Sequence, residues 1–155
     1  MTGSRMKESP HDKKLDEVLR SSKLVASGFM GHDTRSVSEI VDADTAELSR
    51  GGFTKEQVAT RMRQITDIAK AGLGTWVRID ENLQAKVDEA RGRLVCPWPH
   101  PGTLLKRITS IRQTETGASI RWSDLNIHLI GEHGFFEGKG SNFRIEPAEL
   151  VAIIF

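Results

Sequence analysis

The spacing of apolar residues changes midway along this 155-residue chain, from a helical period to a strand period. Before Gly74, apolar residues recur every three or four positions, most clearly at Val58, Met62, Ile65 and Ala69. After Gly74, short β-branched and aromatic runs alternate with turn residues. Because helices and strands are segregated rather than alternating, the sequence predicts an α+β fold and excludes the Rossmann and P-loop architectures, which need βαβ units.

Start and stop signals divide the first part of the chain into three predicted helices. Ser9-Pro10 begins the first helix, which ends at Gly28 and has a face formed by Leu15, Val18, Leu19, Ser22 and Val25. The second and third helices begin at capping-box patterns, which are Ser36 with Glu39 and Thr54 with Gln57. Glycines end them, at 51–52 and at 72.

The second part of the chain predicts a small antiparallel sheet followed by two helices. Strands are predicted at 76–79, 106–112 and 119–122, with a hairpin turn at 114–117. Residues 84–95 fit either a strand or a short helix, and we favour the strand. Ser123 then caps a short helix that stops at Gly134, and Pro147 opens a last helix.

Length predicts one domain of ordinary size. We expect residues 1–10 to form a disordered tail and residues 11–155 to form the domain, with a helical part over about 11–74 and a β-rich part over about 75–155.

Charge and cysteine content narrow the classes of partner and compartment. The chain has 22 basic and 21 acidic residues and one cysteine. This balance disfavours a nucleic-acid partner, since phosphate binding normally needs an excess of Lys and Arg. No apolar run reaches the roughly 18 residues of a membrane span, so no membrane partner is expected. A lone cysteine cannot form an internal disulfide, which favours a cytoplasmic location.

The second and third predicted helices are separated by a short Gly-rich turn, which suits a helical hairpin and also invites comparison with a helix-turn-helix. The exposed face of the third helix mixes Arg61, Arg63 and Lys70 with Glu56 and Asp67. A mixed face is typical of a solvated helix surface rather than of a helix that binds phosphates.

The Gly-rich loop 134–144 combines backbone flexibility with two cations. Its residues Gly138, Lys139, Gly140, Ser141 and Arg144 predict a ligand-binding site for a small anion, with backbone N–H groups and the two cationic side chains as donors. The loop is not a Walker A motif, because the spacing of its glycines is one residue too short and Gly140 stands where the hydroxyl belongs. Tight turns alone also explain these glycines.

Cys96, His100, His128 and His133 carry the atoms that Zn²⁺ prefers, so zinc is a candidate cofactor. Spacing argues against all four meeting. In a polyproline II segment, Cys96 and His100 lie about 12 Å apart, so a shared ion would need a turn or a cis proline. On a helix, His128 and His133 differ by about 140° in direction, so they converge only if the helix ends near Gly131. The alternative roles are a packed core imidazole for His128 and a cation at a helix C-terminus for His133.

Two functional hypotheses follow. The first is a small binding module whose Gly-rich loop holds an anionic ligand or a protein partner. The second is a metal- or cysteine-dependent enzyme that uses the Cys-His set, with Cys96 as nucleophile, a histidine as base and Glu132 or Glu137 as its orienting group. The helical half also suits a homodimer interface. Residues 128–147 resemble stretches of uncharacterised bacterial proteins, and this resemblance implies no activity.

Overall fold

The computed structural model describes residues 10–21 and 28–155. Within this part of the chain the helices are α1 Pro10–Arg20, α2 Val37–Arg50, α3 Lys55–Ala69, α4 Asp124–His133 and α5 Pro147–Ile154, with a short 3₁₀ helix at Lys70–Gly72. The strands are β1 Val77–Asp80, β2 Leu83–Leu94, β3 Leu104–Gln113 and β4 Ser119–Ser123. The prediction of a mixed α+β fold is confirmed, with the first three helices preceding the sheet.

The sheet is an antiparallel meander in the order β1-β2-β3-β4. The alternating residues Leu83, Ala85 and Val87 of β2 are buried, as expected for a strand with one face on the core. Helix α3 packs on this face and also contacts α4. Three buried polar side chains lie between α3 and the sheet and satisfy one another, since the Trp122 indole donates to Thr66 at 3.0 Å and Thr66 shares a hydrogen bond with Thr109.

Strands β2 and β3 form a long hairpin whose last pair is Leu94 with Leu104. Residues 95–103, here called the hairpin loop, connect the two strands and carry Cys96 and His100. The loop lies beside a second apolar cluster that includes Phe29, Leu129 and Phe135, and Cys96 is buried within this cluster. The hairpin loop is thereby held near α4, which also contributes to the cluster.

Most local start and stop signals are confirmed. Complete capping boxes occur at Ser36, Thr54 and Ser123. Gly134 ends α4 in the left-handed conformation with φ of 65°, and Pro147 occupies the first turn of α5. The ambiguous segment 84–95 falls largely in β2, as favoured from its sequence.

Two predictions fall partly outside the described residues. The first helix ends at Arg20 rather than at the predicted Gly28. The predicted face is present at Leu15, Val18 and Leu19, whereas Ser22 and Val25 lie outside the described part. Residues 1–9 of the predicted tail also lie outside it, and Pro10 is helical. None of the helices in the described ranges is long and apolar enough to cross a bilayer.

Candidate metal centre

Four side chains with metal-binding atoms meet between the hairpin loop and α4. They are Cys96, which follows β2 by two residues, His100 in the same loop, and His128 and His133 on the helix. One ligand atom from each residue lies within 4.8 Å of the others. Cys96 is buried, His128 and His133 are partly buried, and His100 is exposed. The set therefore lies at the protein surface with its thiol on the inner side.

Two pairs of these side chains have separations close to the edges of a tetrahedral metal site. The Cys96 Sγ and His133 Nε2 atoms are 3.5 Å apart, and the Nε2 atoms of His100 and His128 are 3.1 Å apart. Tetrahedral zinc, with bonds of about 2.3 Å to sulfur and 2.05 Å to nitrogen, requires S···N edges of about 3.5 Å and N···N edges of about 3.3 Å. All four ligand atoms lie within 4.8 Å of one another.

The prediction of an extended path that keeps Cys96 and His100 apart is wrong, and the turn named as the alternative is present. The prediction assumed an extended polyproline path through the hairpin loop. Instead the His100 backbone N–H donates to the Trp98 carbonyl at 2.9 Å, which closes a tight turn around Pro99. The β2–β3 pairing closes the loop at Leu94 and Leu104, so its path folds back rather than running on.

The prediction that His128 and His133 converge only on a broken helix is also wrong. Helix α4 continues through Gly131 to His133 and is capped by Gly134. The two imidazole centroids are nevertheless 5.4 Å apart. Each imidazole ring reaches several ångströms from its Cα atom, so two side chains that leave the helix in different directions can still meet above its C-terminal turn. The difference in direction between the two Cα–Cβ bonds therefore does not by itself keep the imidazoles of His128 and His133 apart.

Neighbouring groups orient the candidate ligands. The His100 Nδ1 atom lies 3.1 Å from the Pro101 carbonyl oxygen, which can only accept. This contact places the proton on Nδ1 and leaves Nε2 as the lone-pair donor that faces the cluster. The Trp98 indole stacks on His133 with ring centroids 4.1 Å apart and nearly parallel planes, and Phe135 meets Trp98 edge-on. These contacts fix the direction of two of the three imidazoles.

Electrostatics favour the neutral, metal-binding form of His128 and His133. Burial lowers the pKa of His133 to about 4, and the neighbouring His128 and His100 contribute to the same effect. Burial and His100 also lower the pKa of His128. His133 is therefore neutral near pH 7, unlike the C-terminal helix cation considered from the sequence.

Burial has the opposite consequence for the thiol, because it raises the pKa of Cys96, although a hydrogen bond from the Trp98 backbone N–H partly opposes the rise. A thiol in this environment is a poor nucleophile by itself, since the thiolate is the reactive species. A bound cation would reverse the shift by stabilising the thiolate.

The glycines of the loop 134–144 allow close packing against residues 28–33. The Gly138 N–H donates to the Phe29 carbonyl at 2.8 Å, and the Lys139 N–H donates to an Asp33 carboxylate oxygen at 3.1 Å. A β-carbon at Gly138 would overlap the backbone of Met30. The N–H groups of Gly138 and Lys139, two of those predicted to bind an anion, thus already have partners within the protein.

Arg144 is likewise engaged inside the molecule. Its guanidinium makes five hydrogen bonds: two to Asp44, two to Glu146 and one to the Glu137 carbonyl, at 2.5 to 3.2 Å. A guanidinium has five N–H donors, so none remains for an external anion. The side chains of Arg144 and Asp44 are only 8% and 4% exposed. In contrast, the Lys139 side chain is exposed.

Glu137 is a feature whose environment sequence reasoning missed. Its side chain is buried, its backbone has φ of 68°, and its two carboxylate oxygens accept from Asn126 and Ser141 at 2.9 and 3.0 Å. Burial raises the pKa of Glu137 to about 7. These bonds engage its carboxylate away from the Cys-His set, so the suggested role of orienting a catalytic histidine has no geometric support. A positive φ at a non-glycine residue cannot be read from sequence.

Comparisons with protein-family models, with curated proteins and with solved structures find no match to this chain. The function must therefore be argued from the geometry of the cluster itself.

Proposed function

We propose that this chain is a metal-binding protein in which Cys96, His100, His128 and His133 hold one Zn²⁺ ion. The observation that carries the proposal is the convergence of four donor atoms within 4.8 Å from two separate elements of the fold. Two of the donor pairs already have the edge lengths of a zinc tetrahedron.

The composition of the set favours zinc among the common ions. Imidazole and thiolate are preferred by zinc, whereas calcium and magnesium require oxygen ligands. Glu132 is the carboxylate whose charge acts on the pKa values of His128 and His133, and it is exposed. Copper and iron also accept nitrogen and sulfur ligands, so the identity of the ion is an outcome of the first measurement.

A structural role suits the site better than a catalytic one. Four protein ligands complete a tetrahedral shell, whereas catalytic zinc sites keep a position open for water or substrate. The ion would join the hairpin loop to the end of α4, two segments that are otherwise linked by side-chain packing around Cys96 and Trp98. The loop has no backbone ladder of its own beyond the Leu94–Leu104 pair, so a metal bond there restrains its path.

A metalloenzyme is the second candidate, and the exposure of His100 favours it. His100 is the one exposed member of the set and lies on a loop rather than on a helix. If His100 left the ion, the remaining Cys96, His128 and His133 would form a three-ligand site with an open position. Under this alternative, His100→Ala retains stoichiometric zinc and gains or keeps hydrolytic activity.

Metal content tests the proposal directly. The expected result is one equivalent of zinc per chain by plasma mass spectrometry, on untagged protein purified without added metal. His128→Ala and His133→Ala should lose the ion, and His11→Ala is the matched control because His11 is an exposed histidine on α1. Wild-type protein that neither retains zinc nor takes up one equivalent on titration would overturn the proposal.

Cobalt substitution separates a four-ligand site from adventitious histidine binding. Co²⁺ bound through a thiolate gives a sulfur-to-metal charge-transfer band, and a tetrahedral shell gives intense visible bands. Cys96→Ser should abolish the first feature. A spectrum typical of six-coordinate Co²⁺ in the wild-type protein would contradict the four-ligand geometry.

Anion binding by the loop 134–144 stays a prediction. The backbone donors of Gly138 and Lys139 and all five donors of Arg144 have protein partners. Isothermal titration with inorganic phosphate tests it, with Lys139→Ala as the variant because its side chain is exposed.

A further inference from the structure

A second region with the features of a binding site lies beside Glu137, and Glu137 is not a member of the Cys-His set. A cavity of about 340 Å³ is bounded by the apolar side chains of Phe29, Leu94, Ile108, Leu125 and Phe143, and Glu137 is part of its wall. Ligand cavities commonly have volumes of about 300 to 1,000 Å³ and combine apolar walls with a few polar groups. This cavity has the size for a small organic molecule.

No cation donates a hydrogen bond to the Glu137 carboxylate in the part of the chain that the structure describes, although the charge of Arg144 acts on it. Both of its hydrogen bonds come from neutral groups, the Asn126 amide and the Ser141 hydroxyl. The nearby Arg144 guanidinium donates to the Glu137 backbone carbonyl and directs its other bonds to the carboxylates of Asp44 and Glu146. The side-chain carboxylates that Arg144 contacts are thus those of Asp44 and Glu146.

This arrangement is unfavourable for an ionised carboxylate without a further partner. A buried charge is stable only when it is paired and hydrogen-bonded, and a buried acid without a cation otherwise takes up a proton. Each oxygen of Glu137 retains a lone pair beyond the one used by Asn126 or Ser141. The side chain can therefore accept one more donor, and a cationic donor would satisfy the charge as well.

The backbone at Glu137 supports a functional reason for this placement. Its φ of 68° lies in the left-handed region, which is uncommon outside glycine and carries a conformational cost for most side chains. A glycine at this position would avoid that cost, as glycines do at 134 and 140 in the same loop. Retaining a glutamate in a strained, buried position beside a cavity is typical of a residue that contacts a ligand.

We propose that this cavity binds a small, mainly apolar primary amine, with its ammonium group donating to the Glu137 carboxylate and its hydrocarbon part lying among Phe29, Leu125 and Phe143. The apolar walls suit the hydrocarbon part, and the ammonium supplies the cation that the carboxylate lacks. Lys106, which also borders the cavity, is exposed, so its charge is screened by solvent.

Three probes with one skeleton test the proposal: benzylamine, benzyl alcohol and benzoate. Binding is measured by isothermal titration on the intact chain, with zinc present and again with a chelator. We expect benzylamine to bind about ten- to a hundredfold more tightly than benzyl alcohol, because a hydrogen bond to a charged group is stronger than a neutral one. Benzoate should not bind measurably. We expect benzylamine to bind equally well with zinc and with the chelator, so a failure of the zinc proposal would leave this proposal standing.

Two variants locate the site. Glu137→Gln should remove the preference for benzylamine and leave the weak binding of benzyl alcohol. Leu94→Trp, which fills the cavity and keeps the carboxylate, should abolish the binding of both probes. This variant tests the site if Glu137→Gln does not fold. The proposal is overturned if wild-type protein binds none of the probes, if benzyl alcohol matches benzylamine, or if Leu94→Trp binds benzylamine as the wild type does.

Discussion

The Cys-His set and the Arg144 network both gather polar side chains from distant parts of the chain, but they differ in how those side chains are satisfied. Arg144 meets Asp44, 100 residues away, in a buried pair where every guanidinium donor has an acceptor. In the Cys-His set, donor atoms from four residues face one another instead. A polar cluster whose charges balance within the protein stabilises the fold, whereas a cluster of thiol and imidazole groups can also hold an added cation.

The sequence pattern of the loop 134–144 is open to two interpretations. Glycines and cations are the residues of an anion site, but they are equally the residues of a tightly packed loop with an internal ion pair. An anion site and a packed loop differ in whether the backbone N–H groups and cationic side chains donate to a ligand or to the protein itself. Here Gly138 and Lys139 donate to residues 28–33, and Arg144 donates to Asp44 and Glu146.

The largest expected effect is the loss of the buried ion pair. Arg144→Leu should destabilise the protein by about 3 to 5 kcal/mol, because removal of one partner leaves Asp44 buried without a cation. Urea denaturation measures the change, and Arg121→Leu, at an exposed arginine, is the control. A loss below about 1 kcal/mol, typical of an exposed pair, would show that this network is open to solvent and would restore Arg144 as a candidate anion ligand.

Zinc should have an effect of similar size on the other region. Free zinc at a hundred to a thousand times its dissociation constant should raise the free energy of unfolding by about 3 to 4 kcal/mol, because the ion binds the folded state. His128→Ala should remove this gain, and His11→Ala should keep it. Denaturation curves with zinc and with a chelator provide the measurement. Equal stabilisation of both variants would indicate binding outside the cluster.

The pH dependence of stability should reveal the buried acid. The pKa of Glu137 is about 7 in the folded protein against a usual value of 4.5, so the folded state binds the proton more tightly. Stability should therefore fall as pH rises from about 4.5 to about 7, by about 3 kcal/mol in total. Glu137→Gln should remove this component.

The difference in unfolding free energy between wild-type protein and Glu137→Gln, measured from pH 4 to pH 8, isolates the effect because other groups titrate in both proteins. Glu115→Gln, at an exposed turn position, is the control and should follow the wild-type curve. A difference that does not vary with pH would contradict the raised pKa.

A smaller effect is expected for the residue that supports the metal ligands. Trp98→Ala removes the ring that stacks on His133 and should weaken zinc binding about tenfold, at the lower end of the range for groups that orient ligands. Competition with a chromophoric chelator measures the dissociation constant. Trp76→Ala, at a tryptophan in contact with Arg112, is the control and should leave zinc affinity unchanged. An unchanged affinity in Trp98→Ala would assign the stacking to packing alone.

The smallest effect is expected at Lys139. Its side chain is exposed and its structural contacts are made by the backbone, so Lys139→Ala should change stability by no more than about 0.5 kcal/mol. Chemical denaturation checks this value. A loss comparable to that of Arg144→Leu would mean that the two cations of the loop act together, contrary to the contrast between them.

Local signals in the sequence were sufficient to predict much of the fold. The capping boxes at Ser36 and Thr54, the Ser123 cap and the Gly134 stop depend on residues within a few positions of one another. The change of apolar period near Gly74 likewise separated helices from strands. These features are predictable because hydrogen bonds at helix ends and the alternation of strand side chains are set by neighbouring residues.

The sequence by itself thus determined the α+β order, most helix boundaries and the four residues capable of binding a metal. Only the tertiary structure decided that Cys96, His100, His128 and His133 meet, and that the cations of the Gly-rich loop divide into a buried Arg144 and an exposed Lys139. The physical reason is distance along the chain: the hairpin and α4 join residues up to 37 positions apart, and Arg144 meets Asp44 across 100. No local pattern encodes such pairings, because they depend on how whole elements pack.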